Sequence, residues 1–303
     1  MTVVAPFALS YTNRVPYISV AEFMAAPTGL DLSNLVQGRD GVSQNTALQE
    51  LIARASARAD NYCFGAYGTL CATVNTEPGQ IRADRQGFYR VNPRYWPILA
   101  INSFSVGTSP GNLQPVPLSS ATCWIEESGF VITQGAINSV TVIGPIQFGA
   151  GGTPGSRVFA EWTYVNGWPN LFLAADAAQG ASSIVSSVVP EGVFPGTVLN
   201  IWDPPNDEPI TVGAGYTVGS TTIPLVNPLV SAHSAGVNVS ALPQTVKQAV
   251  IYLVTSSIRE RGEVGFTLGP EGAPQEVQRG SSAQSEDEAL AYDLLDPFRA
   301  VVR

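Results

Sequence analysis

The period of the apolar residues changes twice along this chain, and that change constrains the fold more than any single motif. Over about Thr46–Tyr62, Leu48, Leu51, Ile52, Ala55 and Ala59 recur on one face at the helical period, with Thr46 and Gln49 at capping-box spacing. Glu50, Arg54 and Arg58 lie on the other face, Glu50 preceding Arg54 by one turn in the favourable order. The helical period returns over 243–261. There Pro243 takes the first-residue position, Thr245 and Gln248 repeat the box, and Arg259 and Arg261 suit the C-terminal end of the dipole before Gly262. Val250 and Leu253 fall on one face of this helix, Val254 and Ile258 on another. Apolar residues on two faces predict burial between neighbours. Two short helices are expected as well: 19–26, opened by Ser19 and Glu22 and stopped by Pro27, and 286–296, opened by Ser285 and Glu288 and cut by Pro297.

Between the helical stretches the period is two. Phe88–Val91, Ile98–Ile101, Phe104–Val106, Cys123–Ile125, Val131–Ile132 and Val158–Trp162 read as short strands within 80–165. A second series, Ser183–Val185, Val198–Trp202, Ile210–Val212, Thr222–Leu225 and Val237–Val239, reads as a small all-β module over 171–242, with Asp203–Asp207 as its clearest turn. The 29 Gly and 23 Pro fit many turns. The stretch 265–285 is rich in Gly, Pro, Ser and Gln and reads as a flexible linker. No repeat of solenoid type is visible. The expected fold is therefore α+β: a core of 1–170 plus 243–303 on a framework of two long and two short helices, with a β-sheet region and 171–242 inserted as a β module.

Composition removes several classes of function. A hydrophobic share of 45% with only 13% charged residues excludes intrinsic disorder. A net charge of -9 argues against wrapping duplex DNA, whose phosphates demand a basic face. The longest apolar run, Ala249–Val254, is too short to cross a bilayer, and the first residues carry no signal-peptide pattern, so a soluble protein made in the cytoplasm is expected. Cys63, Cys71 and Cys123 form no C-x-x-C pair and read as buried thiols in a reducing compartment. The cations are Arg except for Lys247, as in GC-rich coding genomes.

Catalytic signatures are equally sparse. His233 is the only histidine, and without a G-x-S-x-G elbow it reads as a turn residue rather than a triad member. The Gly149–Gly155 stretch lacks the lysine of a phosphate-binding loop, and the scattered Cys and His do not make a zinc site. Glu126–Glu127 and Asp207–Glu208 are the candidate carboxylate pairs for a glycosidase, but solvated turns explain them more simply. No enzyme, cofactor or metal is expected.

Several segments resemble one family. Tyr17–Phe23, Ala26–Asp31 and Leu48–Cys63 are similar to the opening of the head-to-tail adaptor proteins of long-tailed, siphovirus-like phages. Asn92–Gly107 resembles their "Pro-x-Arg … Pro-Ile … Ser-x-Ser-Val-Gly" region, Leu242–Val250 with Arg259–Gly262 resembles their second long helix, and Ala291–Arg299 resembles their "Leu-Leu-x-Pro-Phe/Tyr-Arg" tail. The resemblances run the length of the chain in the expected order, while 110–242 carries β sequence that the compact adaptors lack.

That resemblance implies a structural virion protein at the neck: a ring, commonly of twelve subunits, between the portal and the stopper or tail terminator. Genomic DNA would pass through it without specific binding, since an acidic ring repels phosphates. Leu294, Leu295, Pro297 and Phe298 would be apolar anchors on the portal, with Arg299 and Arg303 as the polar end. Val250, Leu253, Val254 and Ile258, together with Arg54 and Arg58, would serve the core and the contacts between subunits. The alternatives are a stopper or tail-completion protein, and a capsid decoration protein whose β module, with Trp202, holds glycan.

Overall fold

The computed structural model describes residues 15–30, 32, 35, 41–65, 68–82, 84, 88–119, 122–126, 129–133, 157–262, 266–268, 274–276 and 282–299. Strand accounts for 35% of these residues and helix for 27%. This overturns the expected helical framework: among the described residues β-sheet predominates, and the four α-helices found there are the minority. The physical reason lies in where signal concentrates. A helix with a cap advertises itself over many residues, whereas many of these strands are three to five residues long and each leaves a faint pattern.

The chain forms two compact units, Cys71–Trp168 and the remainder, Met1–Leu70 with Pro169–Arg303. The 171–242 stretch falls in the same unit as the helices. Within Cys71–Trp168, β1 (Thr73–Arg82), β7 (Arg157–Asn166), β3 (Ile98–Gly107) and β4 (Leu113–Pro115) form an antiparallel sheet in the order β1-β7-β3-β4. A three-stranded sheet places β6 (Gly129–Thr133) between β2 (Phe88–Val91) and β5 (Cys123–Glu126). Phe130 of β6 meets Phe104 of β3 edge-on at 5.9 Å and Trp162 of β7 at 6.4 Å, so aromatic contacts join the two sheets. Strand β1 escapes a reading by pattern because Pro78 and Gly79 lie inside it.

In the other unit, α1 (Val20–Ala25) starts at the expected capping box, Ser19 with Glu22. Helix α2 (Gly41–Phe64) begins earlier than its sequence signal, so Thr46 and Gln49 lie inside it rather than at its cap. Leu48, Leu51, Ile52, Ala55, Ala59 and Cys63 are its buried face. Two further helices, α3 (Gln244–Gly262) and α4 (Ser282–Leu295), follow, and a 3-10 turn over Asp296–Phe298 ends the described chain near Arg299. Ser285 therefore sits within α4 and not at its start. Of the expected linker 265–285, the described parts hold two short paired strands, β14 (Phe266–Leu268) and β15 (Pro274–Glu276). The Gly149–Gly155 stretch lies outside the described residues.

The 170–240 stretch is a six-stranded closed barrel. Its ladder runs β11 (Glu208–Thr211), β10 (Val198–Trp202), β13 (Asn238–Ser240), β8 (Asn170–Phe172). Strands β9 (Ser183–Val185) and β12 (Thr222–Pro224) pair with each other and close the circle through the bridges Leu173–Ser186 and Val212–Leu225. Leu171, Leu199, Ile201, Ile223 and Val239 have no exposure and fill the interior.

The barrel is also an internal duplication. Leu171, Leu173, Ala177, Gly180, Ile184 and Ser186 correspond in turn, at one constant spacing, to Ile210, Val212, Tyr216, Gly219, Ile223 and Leu225. After a one-residue step, Gly196, Val198, Leu199 and Asn200 correspond to Gly236, Asn238, Val239 and Ser240. The backbone bonds repeat with the residues. Ala174 donates to Val185 as Gly213 donates to Pro224, and Ser187 donates to Phe172 as Val226 donates to Thr211. The halves exchange partners: Leu173 bonds with Gly236 and Val237, while Val212 bonds with Gly196 and Thr197. A solenoid-type repeat stacks each unit on the next; here the two repeats interlock around one core.

Candidate interfaces and buried ionic sites

The C-terminal helix is anchored on α2. Arg58 donates to Glu288 at 2.5 Å and to Tyr292 at 3.3 Å, and Tyr62 stacks on Tyr292 with ring centres 4.4 Å apart. Tyr62 also donates to Asp296 at 2.6 Å, and the Arg299 guanidinium stands 5.4 Å over the Tyr62 ring. From α3, Arg259 reaches Asp287 at 2.5 Å. Burial lowers the basicity of Arg58, but its bonds to Tyr292 and Glu288 outweigh that and raise it above the ordinary value.

Against this geometry the candidate residues divide. Leu295 has no exposure and is spent in the core, Leu294 and Phe298 are half-buried, and Pro297 and Arg299 are exposed. Arg303 lies outside the described residues. Val250, Leu253 and Val254 have no exposure and Ile258 is buried, so all four are core in this chain. Arg54 is exposed and pairs with Glu50 on its own helix, whereas Arg58 belongs to the α2–α4 contact.

Two buried ionic sites were not visible in the sequence. In the first, Lys247 donates to Glu22 at 2.6 Å and to Asn238 at 2.7 Å, with its ammonium 4.5 Å over the Trp202 ring. Glu22 also closes the α1 cap, accepting from the Ser19 N–H at 2.7 Å, so the Glu22–Lys247 pair ties α1, α3 and the barrel together. Burial pushes the Glu22 carboxyl up, with Lys247 opposing it. Trp202, once a candidate for stacking on sugar, is occupied by this ammonium. Its weak signal was a lone lysine in the first turn of a helix whose other cations, Arg259 and Arg261, lie in its last turn.

The second site breaks the barrel's symmetry. His233 corresponds to Val193 of the first half, and its side chain has no exposure. Its Nδ1 is 3.0 Å from Asp203 and its Nε2 is 2.6 Å from Glu208. Glu208 further accepts from the N–H groups of Val230 at 2.8 Å and Ser231 at 3.0 Å. Burial pushes the Glu208 carboxyl up, but these bonds win and hold it below the ordinary carboxylate value. The sequence singled out both His233 and the Asp203–Asp207 turn, yet only the fold brings them together. They pin the segment connecting the two repeats. Both ring nitrogens of His233 and both carboxylate oxygens of Glu208 are engaged, so this cluster positions backbone.

A third buried network holds Tyr17 against α2. The Tyr17 hydroxyl bonds Asp60, which also accepts from Leu70 N–H at 2.8 Å, and Tyr17 N–H donates to Ser56 at 3.1 Å. Cys63, Cys71 and Cys123 are free thiols, and burial pushes Cys63 up to about 12. No group of three His, Cys, Asp or Glu suited to a metal ion occurs among the described residues. No helix among them is long and apolar enough to cross a membrane.

The chain matches no protein-family model, no curated protein and no solved structure.

Proposed function

We propose that this chain is a structural protein of a phage virion, placed at the neck as a ring between the portal and the stopper or tail terminator. The reading concerns place and role and does not depend on a helical framework. The observation that carries it is the end of α4. In the segment that resembles the adaptors' tail, Pro297 and Arg299 are exposed and Leu294 and Phe298 are only half-covered, while the helix behind them is clamped to α2 by Arg58 and Tyr62. A rigid base with an apolar tip suits docking on another protein. A net charge of -9 per subunit, repeated around a channel, lets DNA slide without adhering.

The test is electron microscopy of lysates from cells infected with phage carrying an early stop codon in this gene. Free tails beside tailless heads that have lost their DNA are the expected result. Complete, tailed, DNA-filled particles would overturn the reading and move the weight to a capsid decoration role.

A further inference from the structure

The only histidine of the chain sits where a neutral ring cannot satisfy both of its neighbours. Nδ1 of His233 lies 3.0 Å from a carboxylate oxygen of Asp203, and Nε2 lies 2.6 Å from one of Glu208. A neutral imidazole donates from one nitrogen and accepts at the other, whereas an ionised carboxylate only accepts. Glu208 already accepts the N–H groups of Val230 at 2.8 Å and Ser231 at 3.0 Å, one on each oxygen, so it meets the ring as an acceptor. Asp203 meets the other nitrogen with a side chain 23% exposed to solvent. Two acceptors at the two ends of one buried ring require two ring N–H groups, which is the imidazolium.

The surroundings favour that charge. No Lys or Arg occurs over 158–246, so an imidazolium is the one cation that this stretch can supply. Asp176, beside the bridge between Ala177 and His233, accepts from the Ala235 N–H at 2.7 Å, and Asp207 is exposed. Lys247 of α3 donates to Glu22 and Asn238. The first repeat shows that the fold itself needs no ion here: Val193, the equivalent of His233, is apolar and has no exposure. The ionic cluster is an addition confined to the second repeat. It joins the Asp203–Glu208 link between the repeats to the backbone of Val230 and Ser231.

We propose that His233 is a proton-dependent latch on the barrel. Doubly protonated, its ring bridges Asp203 and Glu208 and holds the 230–233 segment against the link between the repeats. When pH rises above neutrality and the ring gives one proton to solvent, one of the two bonds is lost. The longer and more solvated bond, to Asp203, is the one that opens, while Nε2 keeps its proton on Glu208. The link is then held at one end only, and the 230–233 segment loosens with it. The latch belongs to the barrel alone and is independent of the place proposed for the chain in a virion.

The experiment is nitrogen-15 NMR of the full chain with labelled histidine, in which His233 gives the only ring signals. At pH 7 both ring nitrogens are expected to carry a proton. Above neutrality Nδ1 should change to a bare nitrogen while Nε2 stays protonated. Over the same step, protection of the Val230 and Ser231 amides against hydrogen exchange, corrected for the intrinsic rate, should fall about tenfold. His233→Gln, which has no proton to lose, should show no such step. The readings on the wild type decide the matter, so a folding failure of the variant leaves the test intact. A bare ring nitrogen at pH 7 overturns the proposal, as does a ring that keeps both protons through pH 10. A ring titration that leaves Val230 and Ser231 equally protected, or a step that persists in His233→Gln, overturns it as well.

Discussion

The ammonium of Lys247 lies 2.6 Å from a carboxylate oxygen of Glu22, and both side chains are less than a tenth exposed. Two buried charges satisfy each other at a junction where α1, α3 and β13 meet. Removing one partner leaves the other uncompensated, which costs more than the pair contributes. Lys247→Met is expected to destabilise by about 3–5 kcal/mol at pH 7. Without the cation, the Glu22 carboxyl rises further above its unfolded value. The penalty should therefore be largest at neutral pH, shrink as pH falls through the raised folded value, and be gone below about 4.3, where the unfolded carboxyl is protonated as well. Adding Glu22→Gln to Lys247→Met should recover most of the loss. Urea melts at pH 7 and pH 4 check both expectations.

Glu208 gives the opposite sign. Its carboxyl is held below the ordinary value in the folded chain. Its contribution is complete above the unfolded carboxyl value of about 4.3 and is lost as pH falls through the lower folded value. Glu208→Gln should cost about 3 kcal/mol at pH 7 and show a shallower acid limb than the wild type. A variant as acid-sensitive as the wild type would show that this carboxylate does not pin the two repeats.

Gly196 and Gly236 occupy equivalent turns, with φ of +86° and +85°. An added Cβ would meet nothing within 4 Å at either site, so a substitution there reads backbone strain alone. Gly196→Ala and Gly236→Ala should each cost about 1–2 kcal/mol, and by nearly equal amounts. Thermal melts of the two variants test the duplication as an energetic fact. Unequal losses would mean that the halves have diverged in their turns.

Helix α4 buries Ala291 and Leu295 in the core and adds a half-exposed cluster against α2. The Arg58–Glu288 pair is about one-third exposed on each side, so its own contribution is about 0–1 kcal/mol, and the Tyr62–Tyr292 stack adds about 1 kcal/mol. Tyr292→Ala should raise amide exchange across Ser282–Leu295 by about tenfold while leaving the barrel's exchange unchanged. Uniform acceleration across both regions would show that the helix and barrel open as one.

How much of this was legible depends on how far apart the cooperating residues lie. The Ser19–Glu22 cap was readable because its two halves are three residues apart, and the strand pattern of 171–242 was readable because alternation is local. The duplication was present in the sequence all along, but its matches are of kind rather than identity, Leu171 for Ile210 and Ala177 for Tyr216, and become plain only when the hydrogen bonds repeat. The contacts of Lys247 with Glu22 and of His233 with Glu208 join residues from separate elements. No period or spacing encodes them. The fold class was misjudged for a related reason: capped helices carry signal out of proportion to their share of the chain, and β1, interrupted by Pro78 and Gly79, carried almost none.

Asn170 and Ser240 are direct partners across β8 and β13, and Ala241 donates its N–H to Pro169 beside them. The chain therefore leaves the barrel at the place where it came in. A segment whose two ends touch is a cassette: a lineage can acquire it or shed it with one splice, and the strands and helices on either side keep their course. What a deletion would expose is the polar socket of Glu22 and Lys247, so such a lineage would have to change those two residues together.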